Sequence, residues 1–446
     1  MKRLLIVAYY FPPSGGPGVQ RVLKFAKYLP EFGWHPVVLT VNESASFPAR
    51  DESLVEEIPP SVKVYRTKIF EPYEIYRKLT GKRADTPIDV NVIHREGERR
   101  RPTERIAELV RATFFIPDAR IGWYPCAVRA GKKIIEEEHI DAIYSSSPPY
   151  TAALIAKRLH RWSGKPWVAG FRDPWTGFLS TPQRWFLPRL IDRHLEVSVF
   201  RTASAIEVAW TGIMKDALRK YPDLPESKFF YLPNGFDSAD YPPLALPRNE
   251  RFTLTYTGSM YGKRNPSVLL QAVERLAASG EIDPSKIELR FIGRFGSEVH
   301  EMFRTFKCQG ALRILPYLPH GESIRHLLQS DVLLLIVDEA EGKEEIVPGK
   351  VFEYIGSRRP ILALAPEGAV SALIHETKAG IVVPSDDVNS VAKAFLEYYR
   401  HFVYNDLRSV SNEEAIARYE RRNITKNLAE LLDRLVDKSS SNKTER

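Results

Sequence analysis

Glu345 and Glu353 stand eight positions apart on either side of Pro348-Gly349-Lys350-Val351. Pro348 and Gly349 interrupt regular structure, and a proline near a first helical position is preset for the helix dihedral, so a helix is expected from about Lys350. Its free amides suit a diphosphate, while Glu345 in the loop and Glu353 one turn in could accept hydrogen bonds from sugar and ribose hydroxyls. Two acids at this spacing equally describe a solvated helix face. Their surroundings decide for the first reading. Gly356, Arg358-Arg359-Pro360 and Ile361 to Leu364 read as helix end, turn and buried parallel strand, which puts both carboxylates at a strand-edge crevice.

Three other stretches carry comparable chemistry. Leu4 to Ala8 reads as a buried strand, followed by a loop holding Gly15-Gly16 and a helix from Arg21 to Leu29. Strand, glycine loop and helix is the order that cradles phosphate, although a plain tight turn explains the same residues. The full Gly-x-Gly-x-x-Gly spacing is missing, so a dinucleotide site is not expected. Near residue 258 the pattern starts again: a strand from Phe252 to Tyr256, a loop with Gly258, Ser259, Lys263 and Arg264, then a helix from Ser267 to Ala277. Lys263 and Arg264 could neutralise a diphosphate, or be ordinary surface charges. Arg172-Asp173 closes the strand Pro166 to Phe171, as a site pair or as a salt bridge tying a loop.

At 446 residues the chain exceeds one hydrophobic core, and two domains are the natural division. Its two cysteines, Cys126 and Cys308, have no metal-ligand spacing, which fits a reducing cytoplasm. The apolar run after Met1-Lys2-Arg3 stops at Tyr9 with no cleavage site, so a first strand is expected rather than a signal peptide. Net charge is +8, and residues 1–200 hold 31 Lys/Arg against 22 Asp/Glu. No nucleic-acid-binding pattern accompanies that excess; an anionic membrane surface or a phosphate-bearing acceptor is the better partner. Aromatic bulk and arginines interleave from Phe178 to Phe200. An ordinary core-facing helix is expected there, with a membrane-surface helix as the alternative.

Strand and helix alternate through both halves, which predicts α/β architecture with doubly wound parallel sheets and ligands at the carboxyl ends of strands. The first domain is expected over 1–240 with a polar insertion at about 71–111, and the second over 250–410. Residues 240–250 read as the linker between them. A C-terminal helix within 411–446 is expected to pack back on the first domain and to end in a frayed tail from Lys438.

The Phe11-Pro12-Pro13 and Gly15-Gly16 loop, Asn234-Gly235-Phe236-Asp237, Tyr256-Thr257-Gly258 and Glu345-x7-Glu353 together resemble the family-4 glycosyltransferases of the GT-B fold. Asp118, Gly122-Trp123, Ser146-Ser147-Pro148-Pro149 and Phe171-Arg172-Asp173-Pro174-Trp175 look like the subgroup found in bacterial surface-polysaccharide clusters. The resemblance implies two Rossmann-like domains facing a central cleft, and metal-independent, retaining transfer of a hexose from a nucleotide sugar, UDP-sugar favoured, to a glycan or lipid-linked acceptor. No cofactor is implied. Glu345 would contact the donor sugar, Glu353 the ribose, and the Pro348, Gly349, Lys350 and Val351 segment the sugar and phosphate. Lys263 or Arg264 would stabilise the leaving diphosphate, Gly16 would close over it, and Gly293 and Leu318 would line the base pocket. Many members have Arg where this chain has Ser259. The histidine that many place in the first-domain cleft has no match, and Asp173 stands in for it. A cytoplasmic enzyme, peripheral at the inner face of the cell membrane, is the implied setting. A sugar-nucleotide epimerase of the same fold and a non-catalytic partner subunit are the alternatives.

Overall fold

The computed structural model describes residues 1–45, 47, 49–70, 112–113, 115–177, 184–242, 248–260, 264–337, 347–407 and 411–444. The expected insertion at 71–111, Lys263 and Glu345 lie outside these residues. The chain divides into two compact units, Met1–Pro233 with Ile424–Arg446, and Asn234–Asn423.

The first unit holds strands β1 (Lys2–Ala8), β2 (Trp34–Val41), β3 (Lys63–Thr67), β4 (Ala142–Ser147), β5 (Trp167–Phe171), β6 (Ala205–Val208) and β7 (Phe229–Tyr231). They form one parallel sheet in the order β3-β2-β1-β4-β5-β6-β7. Leu4 lies opposite Pro36 on one side and Ala142 on the other. Leu4, Leu5, Ile6 and Val7 are all fully buried, as a strand covered on both faces requires. The helix Pro17–Tyr28 turns Val19, Val22, Leu23, Phe25 and Ala26 inward. β7 escapes sequence reading because it is three residues long and buries only Phe229.

The second unit repeats the scheme with β8 (Phe252–Thr257), β9 (Ile287–Ile292), β10 (Leu312–Leu315), β11 (Val332–Ile336), β12 (Ile361–Leu364) and β13 (Gly380–Val383). Its parallel order is β10-β9-β8-β11-β12-β13. Both sheets therefore reverse direction of growth after their third strand. The reversal leaves a crevice at the carboxyl ends of β1 and β4, and of β8 and β11. These are two Rossmann-like units.

Two segments differ from expectation. Residues expected to close the first domain and begin a linker belong to the second unit: Phe236 is 4% exposed, its amide donates to the Tyr419 carbonyl at 3.0 Å, and its ring packs where a Cβ on Gly356 would fall. The last helix, Arg421–Thr444, takes in the expected tail from Lys438 as far as Thr444, and Ser439 and Ser441 donate their hydroxyls to carbonyls one turn back. Ile424, Leu428, Leu431 and Leu432 of that helix join Leu4, Ile6, Leu29 and Trp34 in one apolar cluster of the first unit. Among the described residues no helix is long and apolar enough to cross a membrane.

A buried ion pair braces the first unit. Arg21 and Glu207 are 0% and 1% exposed; Arg21 bonds Glu207 and donates to the carbonyls of Leu232 at 2.7 Å and Pro233 at 2.8 Å, while the Tyr144 hydroxyl donates to Glu207 at 2.9 Å. Arg21→Met leaves a buried carboxylate without its counter-charge and removes the donor to two carbonyls, so stability of this unit falls by about 3–5 kcal/mol. Denaturant unfolding measures this, and a loss under about 1 kcal/mol would show the pair to be dispensable.

Candidate functional site

In the second unit the chemistry gathers at the carboxyl ends of β8, β9 and β11. Gly258 follows β8 with φ +115°, and its amide donates to the Ile292 carbonyl at 2.8 Å. A Cβ there would lie 2.6 Å from Lys350 Nζ. Gly293, after β9, has φ +145°, and a Cβ on it would lie 2.0 Å from the Gly258 carbonyl oxygen. Only glycine fits either position.

The helix Gly349–Ser357 starts one residue before the expected Lys350, with Pro348 extended at its N-cap and no side chain capping it. Its first turn carries Lys350. Lys350 Nζ donates to Tyr256 Oη and to the Thr257 carbonyl, both at 2.7 Å, and stands 4.0 Å from the Tyr256 ring centroid. A cation thus sits at the end of β8, beside the positive helix end. Val351 is buried and its amide donates to the Pro348 carbonyl at 3.1 Å, which anchors the turn. Tyr354, one turn on, accepts the Thr257 amide at 2.9 Å and so locks the helix to the strand. Burial raises the pKa of its phenol.

Glu353 is partly exposed on the same helix. Its carboxylate lies 3.4 Å from His320 Nε2, and its backbone carbonyl accepts the Tyr241 hydroxyl at 2.8 Å. His320 begins the helix His320–Leu328 and is not among the residues expected at the site. The available signal was its place, five residues beyond Leu315, the last residue of β10. Leu318 is half-buried in that connection, and the Leu315 carbonyl ahead of it accepts the Gly293 amide at 3.1 Å. Ser259 is exposed, and its carbonyl accepts the Tyr256 hydroxyl at 3.0 Å. Arg264 is half-buried ahead of the helix Ser267–Ala278. The unit therefore brings together Gly258, Gly293, Lys350 and the amino end that carries Glu353.

In the first unit the Gly15 amide donates to the Ala49 carbonyl at 2.9 Å, and Gly16, at φ +99°, is the N-cap of the helix Pro17–Tyr28 with open space around its α-carbon. Arg172 closes β5 and holds two loops together. It donates to the Gly18 carbonyl at 2.7 Å and to the Pro148 carbonyl, and has Ser146 Oγ at 3.4 Å. The expected Arg172–Asp173 salt bridge is not formed, because those carbonyls take the guanidinium. Asp173 makes no hydrogen bond or ion pair with the described residues. Burial pushes its carboxyl pKa up, against the pull of Arg172. Asp118 binds the Thr151 amide at 2.9 Å and hydroxyl at 2.8 Å, and Tyr150 stacks on Trp175 at 4.7 Å. Among the described residues no group of three or more His, Cys, Asp or Glu side chains is placed to hold a metal ion.

A raised carboxyl pKa means that the folded state keeps this proton to higher pH than the unfolded chain, so ionising Asp173 costs stability as pH rises. Asp173→Asn removes that cost. Its melting midpoint relative to the parent should increase as pH climbs from the ordinary value of 3.8 towards neutrality. Thermal unfolding from acid to neutral pH reads this directly, and a variant less stable than the parent at neutral pH would refute it.

Residues 79–240 match the model described as Glycosyltransferase Family 4, and residues 251–401 match that described as Glycosyl transferases group 1. No curated protein sequence matches the chain. Among solved structures, a glycosyltransferase from Rickettsia africae is 13% identical, with TM-score 0.61 and 98% of each chain covered. Anabaena HepE in complex with UDP is 14% identical, with TM-score 0.62 over 97% of this chain and 100% of that one. Sucrose-phosphate synthase from Thermosynechococcus elongatus is 12% identical, with TM-score 0.60 over 98% and 99%. Likeness at these identities speaks for the fold; together with the two family models, which between them span more than half of the chain, it places this protein among the GT-B fold glycosyltransferases.

Proposed function

We propose that the protein transfers a hexose from a nucleotide diphosphate sugar, a UDP-sugar by preference, to a glycan or lipid-linked glycan acceptor in cell-surface polysaccharide synthesis, with retention at the anomeric carbon. The observation that carries this is the Lys350 ammonium held at the end of β8, beside an uncapped helix end and two glycines whose lack of a side chain lets the lysine and the two strand ends come together. Such an edge accommodates a diphosphate. Anabaena HepE, of the same fold, has been solved with UDP and with UDP-glucose, which supports the choice of base.

On this reading Glu353, steadied by His320, accepts hydrogen bonds from the ribose, and Glu345 accepts them from the sugar. Gly293 and Leu318 border the base, and Gly258 and Ser259 border the phosphates. The bond from the anomeric carbon to the diphosphate oxygen breaks while the acceptor oxygen bonds to that carbon from the same face. Negative charge builds on the departing diphosphate and is met by Lys263, Arg264, Lys350 and the amides of Gly349 and Lys350, a metal-independent arrangement. The acceptor hydroxyl loses its proton as it bonds. Asp173 is the group in the first unit assigned to the acceptor side, where its raised pKa suits proton exchange. The two cysteines are unpaired, in keeping with a cytoplasmic enzyme.

UDP or GDP should bind at about micromolar affinity by calorimetry, and Glu353→Ala or Lys263→Ala should weaken it about tenfold or more. Unchanged binding in both variants would remove the donor site from this edge. A screen of nucleotide sugars by thermal stabilisation identifies the donor. Sugar should then appear on an added glycan acceptor with its anomeric coupling retained by NMR. Release of nucleotide with an epimerised sugar and no acceptor present would assign the chain to the epimerases instead.

A further inference from the structure

The helix Phe186–Thr202 is built inside out over its first half. Its inward face carries Asp192 and Glu196, 3% and 1% exposed. Asp192 accepts Trp175 Nε1 at 2.8 Å and Arg184 Nε at 2.9 Å; Glu196 accepts the Thr176 amide at 3.1 Å and the Tyr221 hydroxyl at 2.8 Å. Arg184 is itself consumed by Asp192 and by the carbonyls of Ala112, Phe115 and Pro117. The polar groups that should face water are thereby satisfied inside.

The apolar groups stand outside. Phe186 is 66% exposed, Leu187 51%, Trp185 47%, Leu190 46% and Ile191 44%. At 100° per residue, positions 186, 187, 190 and 191 fall on one continuous face, and 193 lies at its border. Arg189 and Arg193 are both exposed along the same side. A core-facing helix, the favoured expectation for this stretch, would bury that face. A solvated surface helix would not carry five large apolar side chains together.

We propose that this face is an interfacial anchor that seats the first unit on an anionic lipid bilayer. The apolar residues would enter the headgroup boundary, with Trp185 at its edge, while Arg189 and Arg193 meet acidic headgroups. Charge complementarity selects this occupant: the first 200 residues hold 31 Lys/Arg against 22 Asp/Glu, and the two arginines border the apolar stripe itself. The anchor does not depend on the nucleotide site. It deepens the proposal of a lipid-linked acceptor by placing the enzyme where such an acceptor resides.

The full chain should pellet with vesicles of phosphatidylcholine containing about 30% phosphatidylglycerol, far more than with phosphatidylcholine alone, and less as salt rises from about 0.1 to 0.5 M. Phe186→Ser with Leu190→Ser should lower partitioning about tenfold, and Arg189→Glu with Arg193→Glu should abolish the preference for anionic vesicles. All four side chains are exposed, so melting midpoint and UDP binding should stay as in the parent, which separates failure here from failure of the donor site. No binding to anionic vesicles at low salt, or binding that the double serine variant leaves unchanged, would overturn the anchor. So would a dimer in sedimentation equilibrium that the same variant converts to monomer, since a second copy of the chain would then cover the face.

Discussion

The contact between the Lys350 ammonium and the end of β8 sets the geometry of the second unit's strand edge. A parallel strand ends on carbonyls that lose their ladder partners, and buried carbonyls must be paired. Lys350 takes the Thr257 carbonyl, Tyr354 takes the Thr257 amide, and the Tyr256 ring lies under the cation. The helix that brings Lys350 and Tyr354 also brings Glu353 and an open amino end. Gly258 is the consequence: any side chain there would meet the lysine.

The first unit solves the same problem with a different cation. Arg172 reaches from the end of β5 to the Gly18 and Pro148 carbonyls, so one guanidinium joins the glycine loop to the loop after β4. Gly18 is bounded by that guanidinium just as Gly258 is by the lysine, with a built Cβ 2.8 Å from Arg172 Nη1. Because Arg172 is spent on carbonyls, Asp173 beside it keeps a carboxylate without a hydrogen-bond partner among the described residues. A group placed so is costly to ionise and available to a ligand. The helix Phe186–Thr202 makes a related exchange, satisfying its acids inside and leaving its apolar residues outside.

Much of the fold was legible in the sequence, because strands covered on both faces show as continuous apolar runs. β1, β11 and β12 were all visible in this way, and the alternation with helices implied parallel order. Short elements were not: β7 and the helix Ala369–Thr377 carry no periodic signal long enough to separate them from loops. Phe236 and Tyr241 look like turn residues in the sequence until Gly356 and the Glu353 carbonyl are seen to receive them.

At the candidate site the sequence by itself determined which residues follow strand ends, since a break in an apolar run is a local event. Gly258, Gly293, Asp173 and the Pro348-Gly349 helix start were found that way. Which groups meet was decided only by the tertiary structure. Lys350 and Gly258 are 92 positions apart, His320 and Glu353 are 33, and Arg172 and Gly18 are 154. Their pairing follows from strand order, which depends on how sheets close over distant segments. The same holds for Phe186–Thr202. Its composition allowed a core helix or a surface one, and the choice was made by Arg184, Trp175, Thr176 and Tyr221, which satisfy its acids from the inside and so turn its apolar face out.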